Sequence, residues 1–242
     1  MNHNISKLDY ELLAKKYNNM DIILEKINKG YPIQYLIGNV DFYGYQINVN
    51  PSVLIPRFET EGLIEKTIIL IKELHLDSGK LLDIGTGSGC ISIVLKKEID
   101  SLDITAIDIS RNAIRTSKSN AKLNNVIINF IAKNMFEFSS NRKFDIIISN
   151  PPYISPKDKV SENTKYEPYK AIYAVDNPLM YYEQIFKIAQ NNLNKKFLIA
   201  LEIDEEQGNN LKKLACNYFN NANIVVEKDL ANKDRYMFIY SE

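Results

Sequence analysis

The sequence predicts an α/β protein whose core is a mostly parallel sheet of seven strands. From residue 80 onward, short apolar runs alternate with helical patterns, as is typical of strands joined by crossover helices. The strands read as nearly continuous apolar runs, which indicates a sheet covered by helices on both faces. Only a short polar segment separates the last two runs, so we expect them to form a terminal antiparallel hairpin.

Three elements are predicted ahead of the sheet: a helical pattern over residues 6–28, a hairpin over 40–49 and an amphipathic helix over 59–75. Gly30 and Pro32 close the first pattern, since both residue types end helices. The hairpin is expected to turn around Gly44. Glu59 and Glu61 suit the start of the third element, because the helix dipole favours negative charge there.

The elements of the sheet region follow in order. The seven predicted strands cover residues 80–84, 102–108, 126–132, 144–149, 196–203, 223–228 and 235–240. The predicted helices cover residues 90–99, 110–125, 179–194 and 205–219. Ser110 is expected to cap the second of these helices, and residues 154–178 are loop-rich. In such a sheet a ligand binds beyond the carboxyl ends of the strands, where the strand order reverses.

Composition and charge argue against several classes of function. The chain has 30 basic and 30 acidic side chains, so it lacks the overall positive charge that binds nucleic acid through phosphates. Cys90 and Cys216 are too few and too isolated for a disulfide framework or a zinc site. The N-terminus lacks an apolar signal region, and no run reaches the roughly 18 apolar residues of a membrane span. We therefore expect a cytoplasmic protein that needs no metal.

The segment LLDIGTGSGC places three glycines directly after the first strand of the sheet. Gly85, Gly87 and Gly89 would let the backbone pass close under a ligand and turn into a helix whose N-terminal amides face that ligand. A dinucleotide-binding fingerprint would need glycine or alanine at position 90, where Cys90 stands. The glycine loop therefore gives little support to an NAD site.

Two acids accompany the glycine loop. Asp83 stands two residues before the first glycine and can brace the loop or meet an ammonium group. Asp108 ends the next strand, where a carboxylate can accept hydrogen bonds from both hydroxyls of a ribose. Together they indicate a site for S-adenosylmethionine, whose ribose needs acceptors and whose methionine part carries an ammonium group. The alternative is a glycine-rich turn with acids that cap helices.

The segment AKNMF follows the third strand of the sheet, where an adenine ring would need an apolar platform and a polar contact at its edge. Met135 and Phe136 could supply the platform, and Asn134 could supply the polar contact. Core filling at the end of a strand is the alternative, and it is about as well supported for Phe136.

The segment FDIIISNPPY ends the fourth strand with a rigid cluster of acceptors. Pro151 and Pro152 have no amide hydrogen and a restricted φ, so they hold the turn stiff. The Asn150 side-chain oxygen and the Pro151 carbonyl can each accept one hydrogen from a planar amino group, while the Tyr153 ring packs against that plane. This predicts an amino-group clamp for methyl transfer, with Asn150, Pro151 and Tyr153 as the catalytic residues. The amino group could belong to adenine, cytosine or glutamine.

These motifs resemble a known family. The segments PIQYLIGNVDFYGYQINVNPSVLIPRFETEGLIE, DIGTGSG, AIDIS, ISNPPYI and DLANKDRYMFI, across residues 32–240, are similar to the peptide chain release factor glutamine methyltransferases. The segment VLIPRFETE is the most specific of them. The resemblance implies a class I methyltransferase fold, related to the Rossmann fold. It also implies transfer of a methyl group from S-adenosylmethionine to the glutamine amide in a Gly-Gly-Gln loop of the release factors.

The resemblance also implies roles for individual residues. Besides Asp83, which is assigned above from the residues alone, the cofactor would be contacted by Gly85, Thr86, Gly87, Ser88, Gly89, Asp108, Met135 and Asn150. The glutamine would be bound by Asn150, Pro151, Pro152 and Tyr153. The segment IPRFETE would close over the crevice, with Arg57 and Glu59 fixing its shape, although helix-start charges on a surface loop would explain both residues equally well.

The sequence departs from the family pattern at several places. Phe58 replaces the proline usual in PRPETE, Met135 stands where a larger ring often lies, and Asp204 replaces a glycine. Only about thirty residues precede Pro32, whereas the family usually carries a separate helical domain that grips the release factor. We expect residues 1–50 to form a shortened segment of helix and hairpin, and residues 51–242 to form the methyltransferase domain.

Two other functions remain open on the residues alone. A DNA adenine or cytosine methyltransferase would share the clamp, but it would have to flip its base and would need a basic recognition region. A protein-interaction module that binds the cofactor without catalysis would explain the short front and Phe58. The release-factor interpretation is favoured, with a monomer that modifies release factors and binds neither nucleic acid nor a membrane.

Overall fold

The computed structural model describes residues 5–157, 162–174 and 177–241. The elements before the central sheet are α1 (Lys7–Lys16), α2 (Met20–Asn28), α3 (Ile33–Ile37), β1 (Asn39–Phe42), β2 (Tyr45–Asn48) and α4 (Phe58–Glu73). β1 and β2 form the expected hairpin, and Tyr43 and Gly44 at its turn both have positive φ, as a two-residue hairpin turn requires.

The helical pattern over residues 6–28 is two helices rather than one, which corrects the prediction. Tyr17 is extended, with φ −124° and ψ 133°, and the Asn19 side-chain oxygen accepts hydrogen bonds from two amides in the first turn of α2. The break lets the two helices fold against each other and against α3. Their shared core consists of Leu13, Ile23 and Leu36.

The central sheet contains the seven predicted strands. They are β3 (Lys80–Ile84), β4 (Asp103–Asp108), β5 (Asn129–Ala132), β6 (Phe144–Ser149), β7 (Leu193–Glu202), β8 (Asn223–Lys228) and β9 (Asp234–Ser241). The helices that accompany them are α5 (Cys90–Glu98), α6 (Arg111–Leu123), α7 (Tyr169–Ile172), α8 (Leu179–Asn192) and α9 (Gly208–Tyr218). Element boundaries differ from the prediction by up to three residues, as at β5 and β7.

The strand order is β5-β4-β3-β6-β7-β9-β8. β3 to β7 are parallel, and β9 runs antiparallel between β7 and β8, so the predicted mostly parallel sheet with a terminal hairpin is confirmed. The chain builds outward from β3 through β4 to β5 and then returns to place β6 on the other side of β3. The strand order therefore reverses between β3 and β6, where a ligand crevice is expected.

Successive residues of β3 pack on opposite faces of the sheet. Leu81 joins a core with residues of α4, α5 and α6, whereas Leu82 joins a core with residues of α8 and α9. The prediction of helices on both faces is therefore confirmed. None of the helices in the described ranges combines the length and the apolar character that spanning a bilayer requires.

The region predicted as loop-rich, residues 154–178, contains two short helices within its described part. A 3-10 helix covers Glu162–Tyr166, and α7 follows it. Ile154 forms a parallel bridge with Tyr173, through hydrogen bonds from Ile154 N to the Ile172 carbonyl and from Ala174 N to the Ile154 carbonyl. This bridge ties the chain after β6 to the end of α7. The remainder, residues 158–161 and 175–176, lies outside the described residues.

Candidate active site

The glycine loop and the NPPY segment leave neighbouring parallel strands at the point where the strand order reverses. Ile84 at the end of β3 pairs with Ser149 at the end of β6, and Ser149 Oγ donates a hydrogen bond of 2.7 Å to the Ile84 carbonyl. Gly85 follows directly after β3, and Asn150 follows directly after β6. Parallel pairing therefore brings the predicted cofactor loop and the predicted clamp to the same edge of the sheet.

The glycine loop folds over the end of β4. The amides of Gly85 and Thr86 donate to the Ile107 carbonyl at 2.9 and 3.0 Å, and Gly85 has a φ of +78° that favours glycine. A Cβ on Gly85 would meet no heavy atom within 4 Å, so the loop presents open space there. A Cβ on Gly89 would lie 2.9 Å from Cβ of Ser117, so this glycine is needed for close packing of the loop against α6.

Asp83 stabilises the glycine loop through hydrogen bonds of its buried carboxyl group. Its Oδ2 accepts hydrogen bonds of 2.6 Å from the hydroxyls of both Thr86 and Ser92. Its Oδ1 is buried and has no hydrogen-bond partner among the described residues. Burial raises the pKa of this fully buried carboxyl to about 6. Oδ1 is therefore a buried, unsatisfied hydrogen-bond acceptor at the start of the glycine loop.

The side chains of Thr86 and Ser88 are also buried beneath the loop. The Thr86 hydroxyl is committed to Asp83, and the Ser88 carbonyl accepts a hydrogen bond of 2.9 Å from Asn120 Nδ2. Both residues were predicted to contact the cofactor. Each residue is buried as a whole, backbone included, so its contact with the cofactor stays a prediction.

Asp108 links the end of β4 to the glycine loop. Its Oδ2 accepts from the Gly87 amide at 2.9 Å, and its Oδ1 accepts from the Ser110 amide at 2.8 Å. Each carboxylate oxygen has a second lone pair, so Asp108 can still accept further hydrogen bonds. Burial raises the pKa of Asp108 despite these two amide donors. Ile109 beside it exposes 54% of its surface and so presents apolar area next to Asp108.

Met135 lies in a 3-10 helix, Met135–Glu137, that starts three residues after β5. Its carbonyl accepts a hydrogen bond of 3.1 Å from Gln184 Nε2, which holds the turn against α8. Phe136 is exposed and packs edge-on against Tyr181, with 5.6 Å between ring centroids. The Asn134 side-chain oxygen caps this turn by accepting from the Phe136 amide at 3.1 Å. The contact of Asn134 with an adenine edge stays a prediction.

A hydrogen-bonded network holds the NPPY side chains. Asn150 Nδ2 donates to Thr60 Oγ1 at 3.2 Å, and Thr60 Oγ1 donates to Glu202 Oε2 at 2.7 Å. The Tyr153 hydroxyl donates to the other carboxylate oxygen, Glu202 Oε1, at 3.1 Å. Glu202 ends β7 and is 1% exposed, and its burial raises the pKa of its carboxyl. Burial likewise raises the pKa of Tyr153, which keeps this hydroxyl protonated.

The NPPY segment lines a cavity of about 470 Å³. Its other walls come from α3, from the segment before α4 and from the described chain after β6. Arg57 and Glu167 both line the cavity and form an ion pair of 2.5 Å, and Glu167 Oε2 also accepts from the Ile55 amide at 3.1 Å. Arg57 therefore shapes the cavity by joining two of its walls.

Other predicted positions lie further from the cavity wall. The Glu59 side chain is exposed, and its carbonyl accepts a hydrogen bond from the Tyr236 hydroxyl at 2.8 Å. Phe58 is the first residue of α4 and is 68% exposed. Asp204 Oδ1 accepts from the Glu206 amide at 2.9 Å, so this acid stabilises the turn before α9.

Three residues of the site were missed by the sequence analysis: Thr60, Glu167 and Glu202. Glu202 carried a usable signal, because it is an acid at the end of an apolar strand, as Asp108 is. Thr60 lies in the segment IPRFETE, which the resemblance places over the crevice, but nothing local marks it out from its neighbours there. Glu167 carried no signal, since it stands neither at a strand end nor in a glycine loop. Their positions depend on contacts between distant parts of the chain.

Comparison with known proteins identifies the relatives of this chain. A family model described as "Methyltransferase small domain" matches residues 58–167. The release factor glutamine methyltransferase of Flavobacterium psychrophilum is 38% identical over 245 residues, covering 96% of this chain and 86% of the relative. The protein of the same name from Bacillus anthracis is 37% identical over 235 residues, covering 94% of this chain and 83% of the relative.

Solved structures agree on the fold. A methyltransferase from Pyrococcus furiosus has a TM-score of 0.60 at 16% identity, over 93% of this chain and 98% of that one. A release factor-specific protein-(glutamine-N5) methyltransferase from Alicyclobacillus acidocaldarius has a TM-score of 0.51 at 24% identity, over 81% of this chain and 99% of that one. These likenesses confirm the class I methyltransferase fold. The sequence relatives show that the chain belongs to the release factor glutamine methyltransferase family.

Proposed function

We propose that this protein transfers a methyl group from S-adenosylmethionine to the side-chain amide nitrogen of the glutamine in the Gly-Gly-Gln loop of peptide chain release factors. The observation that carries the proposal is the position of Asn150. This residue follows β6 beside the glycine loop and also lines the NPPY cavity. A side chain between a cofactor loop and a substrate cavity can contact both reactants.

The residues around the glycine loop fit S-adenosylmethionine. Gly85 has open space in front of its Cα, where the backbone can pass close under a ligand. Asp83 Oδ1 has no hydrogen-bond partner among the described residues, so it can accept a hydrogen bond from the ammonium group of the cofactor's methionine part. Asp108 keeps lone pairs for the ribose hydroxyls, and Ile109 and Met135 offer apolar surface for the adenine ring. When bound, the cofactor supplies an electrophilic methyl group on a sulfonium.

Chemistry at the clamp rests on positioning and electrostatics. An amide nitrogen is a poor nucleophile because its lone pair is delocalised into the carbonyl. The Asn150 Oδ1 and the Pro151 carbonyl accept the two amide hydrogens, which orients the nitrogen and stabilises positive charge that develops on it. Pro152 stiffens the turn, and the Tyr153 ring packs against the amide plane. The nitrogen gives up one proton to solvent as it is methylated.

Residues 1–50 are proposed as the segment that docks the release factor, and residues 51–242 as the methyltransferase domain. Two contacts support a link from the front of the chain to the substrate side. The Tyr35 hydroxyl donates to the Val53 carbonyl at 2.7 Å, and the Tyr166 hydroxyl donates to the Lys29 carbonyl at 3.0 Å. Pro32 also lines the NPPY cavity. We propose that the protein acts on release factors as a cytoplasmic monomer.

The test is transfer of labelled methyl from S-adenosylmethionine to purified release factor. Three acceptors are compared: the intact factor, a factor whose Gly-Gly-Gln glutamine is replaced by alanine, and duplex DNA. The proposal expects label on the intact factor alone, and peptide mapping should place it on the glutamine side chain. Label on DNA would assign the chain to base methylation, and cofactor binding without label on any acceptor would favour a protein that only binds.

A further inference from the structure

A carboxamide has two ends of similar size and opposite hydrogen-bonding character. The oxygen only accepts and the nitrogen only donates. If Asn150 is to accept hydrogens from a planar amino group, its oxygen must face that group and its nitrogen must face away. A reversed carboxamide would set two donors against each other, so the clamp needs something that fixes the orientation of Asn150.

The geometry around Thr60 fixes that orientation. Thr60 Oγ1 lies 2.7 Å from Glu202 Oε2 and 3.2 Å from Asn150 Nδ2. A hydroxyl has a single proton, and a carboxylate can only accept one. Once Thr60 donates its proton to Glu202, it can only accept from Asn150. The neighbour of Thr60 must then be the nitrogen end, which leaves the Asn150 oxygen free.

Glu202 holds both side chains of the clamp through one carboxylate. Its Oε2 accepts a hydrogen bond from the Thr60 hydroxyl, and its Oε1 accepts one from the Tyr153 hydroxyl at 3.1 Å. Glu202 is fixed in turn by its place at the end of β7, where its carbonyl accepts from the buried Tyr182 hydroxyl at 3.0 Å. The orientation of the clamp is therefore anchored in the central sheet rather than in the NPPY loop.

We propose that Thr60 and Glu202 are positioning residues that hold the Asn150 carboxamide with its oxygen toward the methyl acceptor. This proposal rests on the proposed function, because it assigns a purpose to the clamp. It also gives Thr60, in the segment IPRFETE, a role in turnover: the start of α4 orients the residue that follows β6. Neither residue is required to touch the substrate.

The discriminating pair of variants is Thr60→Val and Thr60→Ser. Valine keeps the shape of the buried threonine but removes the hydroxyl, whereas serine keeps the hydroxyl and removes a methyl group. We expect Thr60→Val to lower kcat by about 10- to 100-fold, as for a misoriented reacting group. The Kd for S-adenosylmethionine should stay within about twofold, because the glycine loop is untouched, and Thr60→Ser should keep kcat within about threefold of wild type. Equal kcat losses in both variants, or unchanged turnover in Thr60→Val, would overturn the proposal.

Glu202→Gln supplies a second comparison. A glutamine at this position can donate an N–H to Thr60 and so reverse the direction of the chain of hydrogen bonds. We expect kcat to fall in Glu202→Gln, which disturbs both Thr60 and Tyr153. The double variant with Thr60→Val should be little worse than Glu202→Gln alone, since Thr60 acts on Asn150 through its bond to Glu202. Multiplicative losses would mean that the two residues act separately.

A measurement without turnover separates this inference from the proposed function. The Asn150 side-chain amide signals of nitrogen-15-labelled protein are assigned from their loss in Asn150→Ala. In wild type and Thr60→Ser, we expect slow hydrogen exchange of the Asn150 amide proton bonded to Thr60. In Thr60→Val this hydrogen bond is lost, so we expect the two protons of the Asn150 amide to exchange at the same rate. Fast exchange of both protons in wild type would refute the orienting bond, whether or not release factor is methylated.

Discussion

Arg57 and Glu167 form an ion pair of 2.5 Å although 110 residues separate them in the chain. The Glu167 side chain is almost wholly buried and also accepts from the Ile55 amide, whereas Arg57 is partly exposed. The pair joins the segment before α4 to the chain after β6, and both residues line the NPPY cavity. It therefore links two segments of the wall of the proposed substrate site.

Removing one partner of this ion pair should cost both stability and substrate affinity. Arg57→Ala leaves the buried Glu167 carboxylate without its cation, so we expect the free energy of unfolding to fall by about 1–3 kcal/mol. The KM for release factor should rise while cofactor affinity stays unchanged. Urea unfolding and steady-state kinetics measure these effects. The matched control is Lys66→Ala. Lys66 pairs with Glu227 at 2.5 Å, but the Glu227 side chain is 37% exposed whereas that of Glu167 is 2% exposed, so this loss should cost only about 0–1 kcal/mol. Equal losses in the two variants would show that the Arg57 pair has no special role.

Asn150→Ala should lose nearly all turnover, by about 100-fold or more, because it removes the proposed acceptor for the substrate amide. Cofactor binding should fall much less, since the glycine loop and Asp108 remain. Methyl transfer and calorimetric titration with S-adenosylmethionine test the two parts. Asn191→Ala is the control, as Asn191 is exposed and its side chain donates to the Lys187 carbonyl of its own helix. Unchanged turnover in Asn150→Ala would exclude the amino-group role.

Asp108→Ala should weaken cofactor binding by about 10-fold or more, since one lost charge-assisted hydrogen bond is worth about 1.5–3 kcal/mol. The same substitution frees the Gly87 amide, which loosens the glycine loop. Titration of S-adenosylmethionine measures the loss. Asp103→Ala is the matched control, because Asp103 starts the same strand at the opposite edge of the sheet and is exposed. If Asp108→Ala changed only the affinity for release factor, the ribose assignment would be wrong.

Phe58→Pro should stabilise the protein and preserve activity. Phe58 is the first residue of α4, where proline is favoured, and Arg57 before it has φ −101° and ψ 147°, which suit a residue that precedes proline. We expect a gain of about 0.4–1 kcal/mol, mainly from a stiffer unfolded chain. Urea unfolding measures it. Ile69→Pro, at an exposed interior position of the same helix, should instead cost about 3 kcal/mol. Destabilisation by Phe58→Pro would contradict the assigned helix start.

The buried Asp83 should make stability depend on pH. Its pKa in the folded protein is about 6, above the ordinary 3.8, so folding favours the protonated form between these values. The stability that this group contributes is present below about pH 4 and is lost as the pH rises through about 6. We expect wild type to lose roughly 2–3 kcal/mol relative to Asp83→Asn between pH 4 and pH 7. Urea unfolding of both proteins at several pH values measures the difference, with exposed Asp103→Asn as control. Parallel curves for wild type and Asp83→Asn would contradict the raised pKa.

The fold and the location of the site could be predicted because each motif follows a strand. Gly85, Asp108 and Asn150 all come directly at or after an apolar run, and parallel strands bring such positions to one edge. The break at Tyr17 was not predicted, because apolar residues recur on both sides of it and Leu13 and Ile23 end in the same buried cluster. An asparagine cap decided the boundary instead.

The sequence by itself determined the class of sheet, the order of its elements and the side chains that meet at its edge. These follow from hydrophobic period and from residues adjacent in the chain. Only the tertiary structure decided how the clamp is oriented, because Thr60 and Glu202 stand 142 residues apart and no local pattern links them. The direction of a hydrogen bond depends on which partner already holds a proton, and that is known only when donors and acceptors from distant segments are in contact.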